Sequence, residues 1–500
     1  MNNNILESKT VLSGIRWSGA IQFVGESTRI LVSVILARLL APEDFGLLAM
    51  ASVVTGFLVL FQYMGTRGVI IQRKELPPDL VNSLFVLNLV LGFIIALGLL
   101  SGASALAMLY KTNQVAPVIR VLGISFIITS IGIVPGSLLA RNMRFDLIAR
   151  VRFIEVIIYG VVAIILAYSG WGVWALVVAS LVSSVVSTIG LWIVSRWRPS
   201  LTFNWGEVKK VIGYSLNLTG SSFVEYATRN VDRFIIGRWL GSALLGHYSI
   251  ANRFCMLPLD TVTPVLMRVL FPTLSRLQDD LARLQKIFLR ACGGIAFITL
   301  PLMTGLCILA GPFVLGVLGP KWKPVIPLLM LLSPIGVFRS VSAPANGILL
   351  AMGRSDWLFR MMLVAGITVT GSILCGLKWG IIGVASAYAI ATVPVTLMQF
   401  AVSFRLIKLK FSDLWRSLRP YIFATAIMAG PVLACKLMLE NIGFESYLVL
   451  AISVLLGIVV YASMMLFMRP PAVADLLRIL PGDHEWLDRL LKTAGKTPEI

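Results

Sequence analysis

Residues 217–240 read NLTGSSFVEYATRNVDRFIIGRWL and place four charged side chains in a segment long enough to cross a bilayer. At about 100° per residue, Glu225, Arg229, Asp232 and Arg233 fall within an arc of roughly 100° on one helical face. A charge at the membrane centre costs about 2.5–3.5 kcal/mol on insertion scales, so this face must contact protein or water. Glu225 and Arg229 also have the i,i+4 spacing of an ion pair along a helix. The stretch therefore predicts a polar seam that lines a wet interior.

The composition excludes most classes of soluble protein. Of the 500 residues, 58% are hydrophobic and only 13% are charged, whereas soluble domains are about 25% charged. The net charge of +20 indicates cytoplasmic Lys/Arg loops of a membrane protein and not nucleic-acid binding. The cysteines form no CxxC motif and the two histidines lie far apart in sequence, so we expect neither a disulfide framework nor a metal site. No Walker loop or catalytic triad is present, so an enzyme and a cofactor are not expected.

Apolar runs of about 20 residues, the length that a bilayer requires, recur along the chain and predict about fourteen transmembrane helices. Lysines and arginines concentrate on alternate connections between these runs, so the positive-inside rule places both termini in the cytoplasm. The sequence therefore predicts an all-α membrane protein. The predicted spans are 13–37, 45–64, 81–106, 116–139, 153–169, 171–194, 211–236, 246–266, 287–310, 325–351, 359–377, 380–403, 421–439 and 447–467.

The first twelve spans carry matching residues at a nearly constant spacing of 200 to 210 positions. Because each copy holds six spans, both copies enter the membrane from the same side, which makes a parallel repeat about an axis along the membrane normal. Transporters of this build bind substrate between the two lobes and alternate access by rocking them. The matched pairs include Thr28 and Thr228, Arg29 and Arg229, Arg38 and Arg238, Gly46 and Gly246, Arg144 and Arg354, and Asp146 and Asp356.

The repeat divides the chain into five regions. We expect a six-helix lobe at 1–195, a cytoplasmic linker at 196–212, a second six-helix lobe at 213–404, two further transmembrane helices within 405–467, and a cytoplasmic tail at 468–500. Leucines and tryptophan alternate with charges in residues 472–493, a pattern typical of an amphipathic segment on a membrane surface or on the protein.

Further polar positions are expected to line the cleft or to mark the membrane boundary. On the first span one face holds Ser18, Gln22, Glu26, Arg29 and Ser33, so the first and seventh helices should oppose polar faces. Prolines are expected to break the tenth span around Arg339. Arginines are expected to cap the outer ends of the first and seventh helices, and four tryptophans to anchor at the interface. These outer residues are Arg38, Arg238, Trp171, Trp174, Trp322 and Trp379.

Three stretches carry a resemblance to a known family. They are ARLLAPEDFGLLAMASVV (37–54), VDRFIIGRWLGSALLGHYSIANRF (231–254) and LPLDTVTPVLMRVLFPTLSRLQDD (257–280). The first two resemble Wzx-type oligosaccharide flippases, and the third resembles the WzxC subgroup. The similarity covers about residues 10–465. These flippases belong to the multidrug/oligosaccharidyl-lipid/polysaccharide (MOP) superfamily, together with MurJ-type lipid II flippases and MATE drug antiporters.

The resemblance implies an alternating-access flippase in the bacterial inner membrane that moves undecaprenyl-pyrophosphate-linked repeat units for exopolysaccharide, capsule or lipopolysaccharide synthesis. A polymerase and a chain-length regulator would then act with it. Arginine binds phosphate through a rigid fork of donors, so five arginines become candidates for the pyrophosphate and sugar. They are Arg29, Arg229, Arg233, Arg253 and Arg339. Equally, the carboxylates Glu26, Glu225 and Asp232 could neutralise these arginines in a structural network, or bind H⁺ or Na⁺ to drive transport.

Two other functions compete with the flippase. A MATE-like cation-coupled drug antiporter would favour an acidic cavity, whereas five arginines here face three carboxylates. A membrane glycosyltransferase or polymerase would need a large external loop. The longest external connection that the sequence predicts, about 311–324, is too short for one.

Overall fold

The computed structural model describes residues 24–63, 66–73, 75–200, 202–468 and 470. Within these ranges the chain is helical and contains no strand, which confirms the all-α prediction. A π-helical turn (Val314–Leu318) and two 3₁₀ turns (Pro320–Trp322 and Leu377–Trp379) join some of the helices. The helices are α1 (24–39), α2 (Pro42–Tyr63), α3 (Thr66–Gln72), α4 (Pro78–Tyr110), α5 (Val115–Arg141), α6 (Phe145–Tyr168), α7 (Val173–Ser195), α8 (Trp205–Leu240), α9 (Ser242–Arg276), α10 (Leu281–Ile308), α11 (Ala310–Phe313), α12 (Val325–Ala351), α13 (Ser355–Gly376), α14 (Gly380–Ile407), α15 (Phe411–Ile442) and α16 (Ser446–Met468).

In the described part of the chain, ten segments are long and apolar enough to cross a membrane. One of them, Ser355–Ile407, contains both α13 and α14. Long helices also lie at the remaining apolar runs, including α8 and α9, whose charged and polar residues make them less apolar than their neighbours. The protein is therefore a multi-pass membrane protein, and the number of crossings stays a prediction.

Two sets of six helices repeat the same arrangement of neighbours. In the first set α4 packs on α5, α5 on α7 and α6 on α7; in the second α10 packs on α12, α12 on α14 and α13 on α14. Helices α15 and α16 pack on each other, and α15 joins the second set through α10. The contacts follow the predicted repeat, while the division at residues 196–212 stays a prediction. Helix α8 begins inside that stretch.

Residues matched by the repeat also form matching local contacts. Arg144 Nε lies 3.3 Å from Asp146 Oδ1 just before α6, and Arg354 Nε lies 3.2 Å from Asp356 Oδ1 just before α13. All four side chains are at least one-third exposed, so each pair contributes at most about 1 kcal/mol. The recurrence of the same ion pair at both helix starts is a consequence of the shared backbone geometry.

The two lobes touch closely where α2 and α9 begin. A Cβ atom added to Gly46 would lie 1.8 Å from the carbonyl oxygen of Ser242, and one added to Gly246 would lie 1.8 Å from the carbonyl oxygen of Pro42. The repeat-related glycines therefore let the two helices approach to backbone contact. We call this region, where α1 ends and α2 begins, the α1–α2 end.

The second lobe also caps the last turn of α1. The ammonium of Lys321 donates to the carbonyls of Arg38 and Leu40 at 2.7 and 2.6 Å, and Trp322 Nε1 donates to the carbonyl of Ala37 at 2.7 Å. The last carbonyls of a helix have no partner within it, and a cation there also complements the helix dipole. Trp322 is 0% exposed, so its prediction as an interfacial anchor is wrong because it is buried between the lobes.

The matched arginines at the outer ends of α1 and α8 have different contacts. Arg38 donates from Nε to the carbonyl of Val317 at 2.7 Å and from Nη2 to that of Gly316. Arg238 instead lies over the ring of Trp239, 5.3 Å from its centroid. The expectation that Arg38 caps its own helix is wrong, since its side chain reaches carbonyls of the other lobe.

Helix α12 is continuous although it contains Pro334 and Pro344. The expectation of a broken helix around Arg339 is therefore wrong. Proline in the tenth predicted span removes local hydrogen bonds, but helical conformation persists because the neighbours α9, α10 and α14 pack along it. The predicted tail segment at 472–493, and Ser18 and Gln22 of the first span, lie outside the described residues.

We predict that Gly46→Ala and Gly246→Ala each lower the thermal unfolding temperature of the detergent-solubilised protein. The added methyl would collide with the opposite backbone, and overpacking of this kind costs about 1–3 kcal/mol. Gly98→Ala on α4 is the matched control, because a Cβ there meets nothing within 4 Å. Equal unfolding temperatures for all three variants would contradict this account of the interface.

Candidate functional site

The polar face of α8 divides into an exposed part and a buried part. Arg229 Nη2 lies 2.9 Å from Glu225 Oε1, and the side chains are 58% and 45% exposed. This confirms the ion pair expected from the i,i+4 spacing. Asp232, by contrast, is only 6% exposed. The four charges of α8 therefore do not act as a single seam.

Asp232 belongs to a buried hydrogen-bonded network. Its Oδ2 accepts from the hydroxyl of Tyr248 on α9 at 2.8 Å, and its Oδ1 accepts from the backbone N–H of Arg233 at 2.8 Å. Nearby, Arg339 Nη1 donates to the hydroxyl of Tyr388 at 2.7 Å, and the charges of Arg339 and Asp232 are close enough to interact. A buried charge needs such partners, so this contact arrangement favours a structural role for Asp232.

The guanidinium of Arg233 leaves one of its hydrogen-bond donors without a partner among the described residues. Its Nη1 lies 3.4 Å from Asn230 Oδ1, and its Nε is buried with no hydrogen-bond partner among the described residues. An unpaired buried donor on a charged group costs more than about 1–3 kcal/mol. Arg233 therefore retains a donor for an anionic ligand or for water.

A second group of charges joins α1 to α9. Arg29 Nη1 lies 3.4 Å from Glu26 Oε1, and these side chains are 46% and 36% exposed. Arg253 Nη2 donates to the backbone carbonyl of Arg29 at 3.3 Å, across the two lobes. Tyr159 of α6 lies within electrostatic range of Arg253. The fold thus brings two predicted arginines together from opposite lobes.

Asp260, on α9, connects the two groups of charges and was missed by the sequence analysis. It lies within electrostatic range of Glu26 on α1, of Arg229 and Arg233 on α8, and of Arg339 on α12. A carboxylate within a predicted span is a functional candidate in itself, and that signal was available. With Asp260, five arginines face four carboxylates, so the net charge falls from +2 to +1.

All the predicted site residues therefore lie on α1 of the first lobe and on α8, α9 and α12 of the second. They form two groups that both lie within electrostatic range of Asp260. The exposed arginines can exchange a carboxylate for another anion, because an exposed ion pair contributes only about 0.2–1 kcal/mol. A phosphate or diphosphate matches the arginine fork.

Solved structures share this fold of two six-helix lobes. Lipid II flippase MurJ in an inward closed conformation matches with a TM-score of 0.75 at 16% identity, covering 90% of this chain and 98% of that one. An inward-facing MATE-family multidrug transporter of the MOP superfamily matches with a TM-score of 0.64 at 16% identity, covering 78% and 98%. The chain therefore shares its fold with these two structures.

The chain belongs to the polysaccharide biosynthesis protein family, whose model matches residues 35–327. The succinoglycan biosynthesis transport protein ExoT of Rhizobium meliloti (strain 1021) is 30% identical over 94% of this chain and 96% of its own length. The lipopolysaccharide biosynthesis protein WzxC of Escherichia coli (strain K12) is 26% identical over 79% and 81%. The teichuronic acid biosynthesis protein TuaB of Bacillus subtilis (strain 168) is 26% identical over 94% and 98%.

Proposed function

We propose that the protein is a flippase that moves a lipid-linked oligosaccharide across the membrane by alternating access. The observation that carries this proposal is the meeting of arginines from α1, α8, α9 and α12 between two lobes. A lipid-linked sugar has an anionic, hydrated head and an apolar tail. Its head needs a polar chamber between the lobes, whereas its tail remains in lipid.

The headgroup that we propose is the pyrophosphate of an undecaprenyl carrier. Glu26 holds Arg29 and Glu225 holds Arg229 in exposed pairs, and a diphosphate would replace the carboxylates as the stronger, bidentate partner. Arg253 joins Arg29 across the lobes, so a headgroup on these residues would contact both lobes at once. A headgroup that contacts both lobes can favour one relative position of the lobes over another.

The Lys/Arg distribution supports an orientation with both termini in the cytoplasm of a bacterial inner membrane. In that orientation the α1–α2 end faces outward, so its inter-lobe contacts close the outer side. The substrate would then enter from the cytoplasmic leaflet and leave on the other side. A polysaccharide polymerase and a chain-length regulator would use the delivered units there.

A drug antiporter is the competing function, since the fold is shared with MATE transporters. The chamber retains one more arginine than carboxylates even with Asp260, which disfavours an organic cation as substrate. Deletion in the native host separates the two. The flippase predicts loss of surface polysaccharide with repeat units held on the cytoplasmic leaflet, while an antiporter predicts intact polysaccharide and new drug sensitivity.

We predict that Arg29→Ala and Arg253→Ala each reduce polysaccharide export by roughly tenfold to a hundredfold, because a charge-assisted hydrogen bond contributes about 1.5–3 kcal/mol. Export is measured in a deletion host that expresses each variant at equal membrane levels. The matched control is Arg360→Ala, which removes an exposed arginine of α13 that has no partner in the described part of the chain. Export at the wild-type level in the Arg29 and Arg253 variants would show that neither residue belongs to the site.

We further propose that H⁺ or Na⁺ couples to transport through Glu26, Glu225 or Asp232. A cation on Glu225 would release Arg229 from its 2.9 Å pair, and a diphosphate on Arg229 would release Glu225. Binding of the two ions is therefore mutually favourable, and the coupling is reciprocal by linkage. Asp232 is the weakest of the three candidates because Tyr248 and the Arg233 amide already bond it.

This coupling predicts that Glu225→Gln binds a soluble prenyl diphosphate, geranyl pyrophosphate, about 1.4-fold to fivefold more tightly than the wild type. The gain in binding free energy equals the free energy of the exposed ion pair that no longer competes with the ligand, about 0.2–1 kcal/mol. Asp356→Asn is the control, because it removes a similar exposed pair with Arg354 at the start of α13, a helix that carries none of the predicted site residues. Isothermal titration on purified protein provides the measurement, and unchanged or weaker binding by Glu225→Gln would contradict partner exchange.

A further inference from the structure

A cavity of about 840 Å³ lies between α10 and α15, and none of the predicted site residues lines it. Its floor is closed by direct packing of the two helices. Ser417 Oγ donates to the carbonyl of Leu289 at 3.2 Å. A Cβ on Gly293 would lie 3.2 Å from Tyr421 Cε2, so glycine at this position allows the tyrosine to approach. The cavity is a stable groove of the fold.

Four cations line this groove, two from each helix: Lys286 and Arg290 of α10, and Arg416 and Arg419 of α15. The one carboxylate among the described lining residues is Asp413. It caps the start of α15 by accepting from the Lys410 N–H at 3.2 Å and lies 3.9 Å from Arg416. Lys286, Arg290 and Arg419 have no hydrogen-bond or ion-pair partner among the described residues. Among the residues that the structure describes, three positive charges of the groove therefore have no ion-pair partner.

The positive-inside rule explains why cations lie at the cytoplasmic end that we propose for these helices, but it does not explain why α10 and α15 both place cations in one groove. The first lobe provides a comparison. Helix α4, which corresponds to α10 in the repeat, carries no lysine or arginine in Pro78–Tyr110. Helix α15 lies outside the repeat. The cationic groove is thus an addition specific to the place where α15 packs on the second lobe.

The groove also has the apolar features of a lipid site. Leu289, Leu409 and Met468 contribute to its lining beside the cations. Phe411 and Trp415 of the first turns of α15 are 46% and 61% exposed, and aromatic side chains of this kind concentrate at the membrane interface. The cations lie within the first three turns of their helices, within about 15 Å of the helix ends at 1.5 Å per residue. A soluble anion would not require the apolar wall.

We propose that this groove binds the phosphate headgroup of an anionic phospholipid, with Lys286, Arg290 and Arg419 as its donors. The proposed orientation of the chain places that lipid in the cytoplasmic leaflet. Basic pockets between transmembrane helices are suited to anionic headgroups. Because its donors come from both α10 and α15, a bound headgroup links the two C-terminal helices to the second lobe.

The proposal is tested by titrating purified full-length protein with phosphatidylglycerol and, separately, with phosphatidylcholine, and measuring bound lipid by native mass spectrometry. Each basic group near an anionic lipid contributes about 1 kcal/mol, so the triple variant Lys286→Gln/Arg290→Gln/Arg419→Gln should bind phosphatidylglycerol roughly a hundredfold more weakly. Phosphatidylcholine binding should not change. The single variant Arg419→Gln should weaken phosphatidylglycerol binding about fivefold. It is used in place of the triple variant if the triple variant does not fold.

The matched control is Arg150→Gln/Arg152→Gln/Arg360→Gln, which removes three exposed cations from the same predicted side of the membrane and should leave phosphatidylglycerol affinity unchanged. Two results would overturn the proposal. The first is equal loss of affinity in the control and groove variants, since the effect would then come from overall charge. The second is inorganic phosphate binding as tightly as phosphatidylglycerol and displacing it, since the groove would then be a site for a soluble anion.

Discussion

The cost of placing charge in hydrocarbon determines how this protein is built. Each intramembrane guanidinium or carboxylate costs about 2.5–3.5 kcal/mol unless protein or water surrounds it. The chain meets that cost by giving its charges protein partners, in the pairs Glu26–Arg29 and Glu225–Arg229 and in the buried network of Asp232. Exposed pairs remain exchangeable, whereas the buried network holds the helices. Neighbouring charges of α8 are thus divided between an exposed ion pair and a buried network.

Contacts between backbones close one end of this arrangement. Gly46 and Gly246 bring α2 and α9 together, and Lys321 and Trp322 cap the carbonyls of α1 from the other lobe. Opening this end removes partners from helix-end carbonyls, and water must then replace them. These contacts therefore hold the two lobes together at the α1–α2 end. A ligand that contacts both lobes can supply the bias for such a change.

The repeat and the bounds of many helices could be predicted because they depend on local patterns. The predicted span 325–351 coincides with α12, and the repeat-related Thr28 and Thr228 make the same bond to the carbonyl four residues earlier. The apolar runs and the i,i+4 pair of α8 follow from length and helical spacing alone.

Contacts between distant segments could not be predicted in this way. Trp322 and Arg38 have sequence environments typical of a membrane interface, yet both bond to backbone of the opposite lobe some 280 positions away. The burial of Asp232 depends on Tyr248 of the next helix. Asp260 stood in a predicted span, but its link between the two groups of charges depends on how α1, α8 and α12 converge. Tertiary packing thus decided which charges are exchangeable.

The central claim is that the lobes enclose a charged chamber and separate at the α1–α2 end to release the substrate. The most direct measurement is the distance between spin labels at Glu43 and Lys323, which are exposed at that end on opposite lobes, in lipid nanodiscs with and without a lipid-linked oligosaccharide pyrophosphate. The account predicts one short distance without substrate and a second, longer population with it. A single short distance under both conditions, while the protein still transports, would contradict it.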